Sequence, residues 1–173
     1  DPLLGEEACD TARNAAKNAG FLERKVFHCD KAEHWQEAVA EANAMSLFAD
    51  KSLIEMRASP GKIEHALLLD YLKQPSPDNV LLLITDKVES TSQKTQWFKA
   101  LEAACTYVPV APLDTARFPE WLAIRAQRAK VRLSKDALNL LASQTQGNLL
   151  AAAQEIEKLA LQFGEAEIGV EQV

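Results

Sequence analysis

Along the first two thirds of the chain, apolar and polar positions alternate between two periods. Residues Leu4 to Ala19 are rich in Ala, Glu and Lys and predict a helix, which Gly20 ends in the manner of a C-terminal cap. Lys25 to Cys29 predicts a strand. Ala32 to Met45 predicts a helix with Trp35, Ala38, Val39 and Ala42 on one face. Ser52 to Ala58 predicts a second strand, broken by Ser59-Pro60-Gly61, and Ile63 to Lys73 a further helix ended by Pro75 and Pro77. The unbroken apolar run Val80 to Ile84 predicts a strand buried on both faces, as at the centre of a parallel sheet. A helix over Ser92 to Ala104 and a strand over Thr106 to Val110 complete the alternation. Pro109 suits that last strand to a sheet edge.

Four strands separated by helices imply an α/β fold with a parallel sheet. Past Pro112-Leu113-Asp114 the pattern is helical throughout: Pro119 to Lys130, Ser134 to Thr145 and Asn148 to Phe163, with Ser134 a good N-cap and Gly147-Asn148 a turn. These are expected to form a small bundle. The predicted division is therefore an α/β domain over residues 1–114 and a helical domain over 115–173.

Composition narrows the function. Of 173 residues, 47% are hydrophobic and 25% charged, the mix of a globular protein that can bury a core. The net charge of -6 disfavours an autonomous nucleic-acid binder, because phosphate contacts need clustered Lys and Arg. Cys9, Cys29 and Cys105 are odd in number and widely spaced, so they suggest reduced, mostly packed thiols in a cytoplasmic protein. The longest apolar run is too short to cross a bilayer, and no membrane partner is expected. The opening Asp1-Pro2, without an initiator Met, suggests a fragment whose upstream portion is missing.

Catalytic signatures are weak. His28, His34 and His65 have no ligand-forming partner at metal spacing. Ser59-Pro60-Gly61-Lys62 matches Ser-x-x-Lys without its companion motifs. Gly61-Lys62 fails as a P-loop, because Met56 stands where a Gly is needed and Ile63 where Ser or Thr is needed. No catalytic residue, metal or cofactor is assigned. Arg117, Arg125, Arg128, Lys130 and Arg132 form the densest basic cluster. It is either a solvated face of the bundle or a contact to a neighbouring subunit or to DNA, through Arg125, Arg128 and Arg132.

Met45, Leu47 and Phe48 place three large apolar groups within four residues at a helix end, and they cannot all follow the Trp35–Ala42 stripe. Either they cap the core beneath a loop, or they form an exposed plug for a partner's pocket.

Asp1-Pro2-Leu3-Leu4, Ala44-Met45-Ser46-Leu47-Phe48 and Gly147-Asn148-Leu149-Leu150-Ala151 stand in the order and spacing of a family. The Val80 to Lys87 strand and the Trp97-Phe98 helix also fit. Together they resemble the clamp-loader delta subunits of bacterial DNA polymerase III, over essentially the whole chain. The resemblance implies an AAA+-like parallel-sheet domain, its first strand upstream of Asp1, followed by a helical lid. Met45-Ser46-Leu47-Phe48 resembles the motif that enters a hydrophobic pocket on the sliding clamp. By resemblance, Leu47 and Phe48 are the plug and Met45 a flanking contact. Ala44 stands where many such motifs carry Gln, which removes a hydrogen-bonding anchor.

The family implies a subunit that binds and opens the ring-shaped clamp (the beta subunit). Its other partners are the gamma/tau and delta prime subunits, with DNA held through the assembly. Its place is in the polymerase holoenzyme, a nucleotidyltransferase. Active AAA+ enzymes carry an acidic pair at the end of the third strand and Gly-x-x-Arg at the start of the lid helix. Here the strand reads Leu53-Ile54-Glu55-Met56-Arg57-Ala58, and Leu150 occupies the lid position. Both departures favour docking without ATP hydrolysis. The alternatives are a truncated AAA+ nucleotide hydrolase and a generic protein-interaction adaptor.

Overall fold

In a computed structural model the described residues are 1–44 and 51–173. Helix α1 (Pro2–Asn18) starts with the Asp1 carboxylate accepting from the N–H groups of Leu3 (2.9 Å) and Leu4 (3.4 Å), which satisfies two otherwise unpaired donors. It ends at Gly20, whose φ of 94° is open to glycine and costly for a residue with a Cβ.

Strand β1 (Phe21–His28), helix α2 (Ala32–Asn43), strand β2 (Lys51–Ala58), helix α3 (His65–Tyr71) and strand β3 (Asn79–Thr85) follow. The three strands form a parallel sheet in the order β1-β2-β3. Register pairs Val26 with Glu55 and Leu82, and His28 with Arg57 and Ile84. One irregularity falls between Phe21 and Glu23.

Side chains alternate across the pleat. Ile54, Met56 and Ala58 face a core made by Trp35, Ala38, Val39 and Ala42 of α2 with Leu68 and Tyr71 of α3. The four-residue stripe expected on α2 is the face that is buried. Trp35 is fully enclosed, and its indole N–H donates to the Cys29 carbonyl at 3.1 Å.

Two expectations about the sheet are corrected. Val80–Ile84 is not the centre of this sheet: β2 lies between the other two, and every residue of β3 is half-buried. A run of apolar residues reports affinity for burial but cannot say which neighbour supplies it. Thr106–Val110 pairs with no strand among the described residues. A ladder needs a partner, and Pro109 supplies no donor to one. Tyr107 instead sets its ring edge-on to Phe98, 5.2 Å between centroids.

The expected Ser92–Ala104 helix divides into α4 (Ser90–Gln93) and α5 (Gln96–Ala104). The Thr95 hydroxyl donates to the Ser92 carbonyl where the helix breaks, a local bond of the kind that competes with continued helix.

Helices α6 (Phe118–Arg128), α7 (Lys135–Thr145) and α8 (Leu149–Phe163) follow. Ser134 caps α7 through the Ala137 N–H (3.2 Å), and Asn148 caps α8 through the Ala151 N–H (3.1 Å). Phe118, Leu122, Leu141, Leu149, Ala152, Ile156 and Leu159 form the centre of their core, with Leu3 and Leu4 packed against it. This region is not purely helical. Strands β4 (Arg132–Leu133) and β5 (Glu167–Ile168) pair in parallel, too briefly for any periodicity to announce them.

Contacts divide the chain into two compact units, Glu7–Pro109 and Asp1–Glu6 with Val110–Val173. Among the described residues no helix is long and apolar enough to cross a membrane.

Candidate functional site

On the sheet face opposite α2 and α3, the middle strand places Glu55, whose side chain is completely buried. Its neighbours along that face are Leu53 and Arg57 on β2, with Arg24, Val26 and His28 on β1. Arg13 reaches in from α1 and donates from Nε to Glu55 Oε2 at 2.9 Å and from Nη2 to Oε1 at 3.0 Å, a two-pronged bond. Arg24 donates from Nε to Oε2 at 3.0 Å, and Arg57 from Nε to Oε1 at 2.8 Å. Asp10, on the α1 surface, accepts from Arg13 Nη1 at 2.6 Å. Arg13 and Arg57 have further partners besides these.

Burial by itself would push the Glu55 carboxyl up. The hydrogen bonds from Arg13, Arg57 and Arg24 outweigh it and hold the group down at about 2. Glu55 is therefore an ionised carboxylate whose two oxygens are already occupied by three guanidinium groups. Its lone pairs face arginine, so this carboxylate is poorly suited to ligate magnesium or to act as a base at neutral pH. Sequence reasoning singled out Glu55 as a lone mid-strand acid and Arg57 as having the wrong charge for a magnesium ligand. It missed Arg13 and Arg24, which lie 42 and 31 residues away in the chain.

The other residues considered are spread out. His65 stacks on Trp97, with ring centroids 3.8 Å apart and planes 10° from parallel. Burial moves its pKa below the usual imidazole value, against a smaller opposing pull from Glu64. Burial pushes the Cys29 thiol up to about 11, with Asp30 adding to it, which leaves a packed and unreactive sulfur. Among the described residues no group of three or more His, Cys, Asp or Glu could hold a metal ion.

Several basic residues of the bundle lie near acids. The Arg125 guanidinium lies over the Trp121 ring at 5.3 Å and stands 4.0 Å from Glu157. Lys130 is 4.0 Å from Glu165, and Arg117 is 3.8 Å from Glu120. Arg128 and Arg132 are exposed. Lys130 adopts φ 59°, a left-handed conformation at the end of α6 where glycine is usual. Met45, Leu47 and Phe48 lie outside the described residues. Leu150 is exposed near the start of α8.

The architecture is that of a parallel α/β sheet unit with a buried Glu55–arginine hub on one face of its sheet, and a helical unit. A sequence model of the family "DNA polymerase III, delta subunit" matches residues 1–111. The chain belongs to that family. It is 30% identical over 176 residues to DNA polymerase III subunit delta of Escherichia coli K12, an alignment covering all of this chain and 51% of the relative. It is 23% identical to the Haemophilus influenzae subunit delta, again over all of this chain and 52% of that protein. The chain thus spans about half the length of the curated relatives it matches. Among solved structures, the Bacillus subtilis DNA clamp loader delta protein (YqeN) superposes with a TM-score of 0.67, at 21% identity, over 87% of this chain and 47% of the other. That likeness concerns the fold.

Proposed function

We propose that this chain is the clamp-engaging part of a clamp-loader delta subunit, and that it binds and opens the sliding clamp without hydrolysing ATP. Family membership carries the reading. In this reading residues 1–114 form the AAA+-like clamp-binding domain and 115–173 the lid. Leu47 and Phe48 enter a hydrophobic pocket on the clamp, with Met45 flanking them. Burying a Leu and a Phe is worth roughly 1.5–3 kcal/mol each before association costs, enough for a specific and reversible grip. The ring opens because delta has higher affinity for the opened clamp than for the closed one, and that difference supplies the work.

The Glu55 hub supports the absence of hydrolysis. The carboxylate nearest the position of a catalytic acid is committed to three arginines, and Arg57 brings positive charge where magnesium would need the opposite. The gamma/tau and delta prime subunits are the other partners, in the cytoplasm. Arg125, Arg128 and Arg132 are offered to a neighbouring subunit or to DNA held by the assembly.

The test is binding of the chain to the purified sliding clamp, with and without the Leu47→Ala, Phe48→Ala double change. Binding lost in the double variant is the expected result. Undiminished binding would place the contact elsewhere on the chain. A folded chain with no affinity for the clamp would refute the reading.

A further inference from the structure

The outer strand β1 presents a mixed strip on the Glu55 face. Arg24, Val26 and His28 alternate along it and are all exposed. Arg57 lies in register beside His28. Arg24 and Arg57 remain 46% and 34% exposed although both donate to Glu55, so their guanidinium groups bond the buried carboxylate from the surface side. Val26, between Arg24 and His28, is 42% exposed, and Leu22, at the register irregularity where the strand begins, is 75% exposed.

Most of the opposite face of the same strand is tied into the fold, with Glu23 at its start still exposed. Its Lys25 ammonium is bonded to Glu41 of α2 at 2.6 Å, and Phe27 packs on the core of the sheet unit. One face of β1 is thus held by Lys25 and Phe27, while the other offers apolar groups beside two arginines.

We propose that this strip, Leu22, Arg24, Val26 and His28 with Arg57 beside it, is a docking surface for an acidic amphipathic segment of a neighbouring clamp-loader subunit. The proposal rests on the clamp-loader reading above. Charge complementarity selects the partner: carboxylates would face Arg24 and Arg57, and apolar side chains would cover Val26 and Leu22. A lone phosphate ligand would use the arginines and leave the two apolar groups in water, so a protein segment fits the strip better. Because Arg24 and Arg57 are held by Glu55, their heads are pre-positioned and lose little freedom on binding.

The test uses the complete subunit and the purified gamma/tau and delta prime subunits of the same loader. Affinity is measured for wild type, for the Leu22→Ser, His28→Glu double variant and for Arg24→Gln. The double variant leaves every bond to Glu55 in place, so its melting temperature should match wild type. At least a tenfold loss of affinity for one loader subunit, steeper at low salt, with clamp binding unchanged, is the expected result. Unchanged affinity in both variants, with the wild type binding normally, overturns the docking surface and leaves the clamp-loader reading intact. Saturable binding of pyrophosphate that needs Arg24, without any loss of subunit affinity, overturns it in favour of an oxyanion site. A wild-type subunit that binds neither the loader subunits nor the clamp overturns both proposals.

Discussion

The two compact units solve the same stabilisation problem with different chemistry. The helical unit hides only apolar groups at its centre: Leu122, Leu141, Ala152, Ile156 and Ile168 are sealed. Its ion pairs lie at the surface, from Lys158–Glu155 at 2.7 Å to Lys130–Glu165 at 4.0 Å. Exposed pairs of this kind contribute at most about 1 kcal/mol. The sheet unit has an equally dry core around Trp35, Ile54 and Met56, yet on the other side of β2 it buries a carboxylate. A buried ion is costly to desolvate and is tolerated only when fully paired. Three arginines from α1, β1 and β2 meet that condition at Glu55, and in doing so they tie three elements to one point. The helical unit therefore depends on shape and caps, whereas the sheet unit also depends on ionisation.

The largest effects should come from the two dry cores and should be alike. Trp35→Ala opens a cavity and strands the Cys29 carbonyl, costing about 3–5 kcal/mol, and Ile156→Ala costs about 2–5 kcal/mol. Hydrogen exchange should localise the first loss to Glu7–Pro109 and the second to the unit containing Val110–Val173.

Glu55→Gln should separate the units. It leaves three guanidinium groups around a neutral amide and should cost about 3 kcal/mol, read from urea melts at neutral pH. The acid profile sharpens the point. The folded-state pKa of Glu55 is depressed to about 2 from 4.5, so its contribution is complete above pH 4.5 and is lost as pH falls toward 2. Thermal melts from pH 5 to 2 should show a shallower decline in the Glu55→Gln variant than in wild type. Equal slopes would mean that the hub is not what makes the sheet unit acid-sensitive.

Smaller effects belong to the ends of helices. Ser134→Ala should cost about 1 kcal/mol through the lost cap. Lys130→Gly should be stabilising by up to about 1 kcal/mol, because it relieves the left-handed strain at φ 59° against the entropy of glycine. The smallest expected signal is at His65. Its pKa is lowered from 6.5, so the stability tied to its neutral, Trp97-stacked form is full above pH 6.5 and declines as pH drops below that value. The decline should be absent in His65→Gln.

Much of this architecture follows from local pattern. The α2 stripe of Trp35, Ala38, Val39 and Ala42, the Ser134 and Asn148 positions at helix starts, and the glycine stop at Gly20 all depend on contacts within a few residues. Periodicity and capping chemistry report such contacts directly. Family resemblance was equally available in the sequence, through short motifs spread along the chain, and the family match bears it out.

What the tertiary structure decided was every question of which distant groups meet. The Val80–Ile84 run announced a strand but not its outer place in the order β1-β2-β3. Thr106–Val110 carried the composition of a strand and found no ladder to join among the described residues. The Glu55 hub needed Arg13 from α1 and Arg24 from β1 to converge on β2. A lone charged residue in a strand looks exposed or functional in one dimension. Only the folding of three elements onto one carboxylate makes it a buried ionic centre, because the field that holds it ionised comes from side chains the linear pattern cannot place.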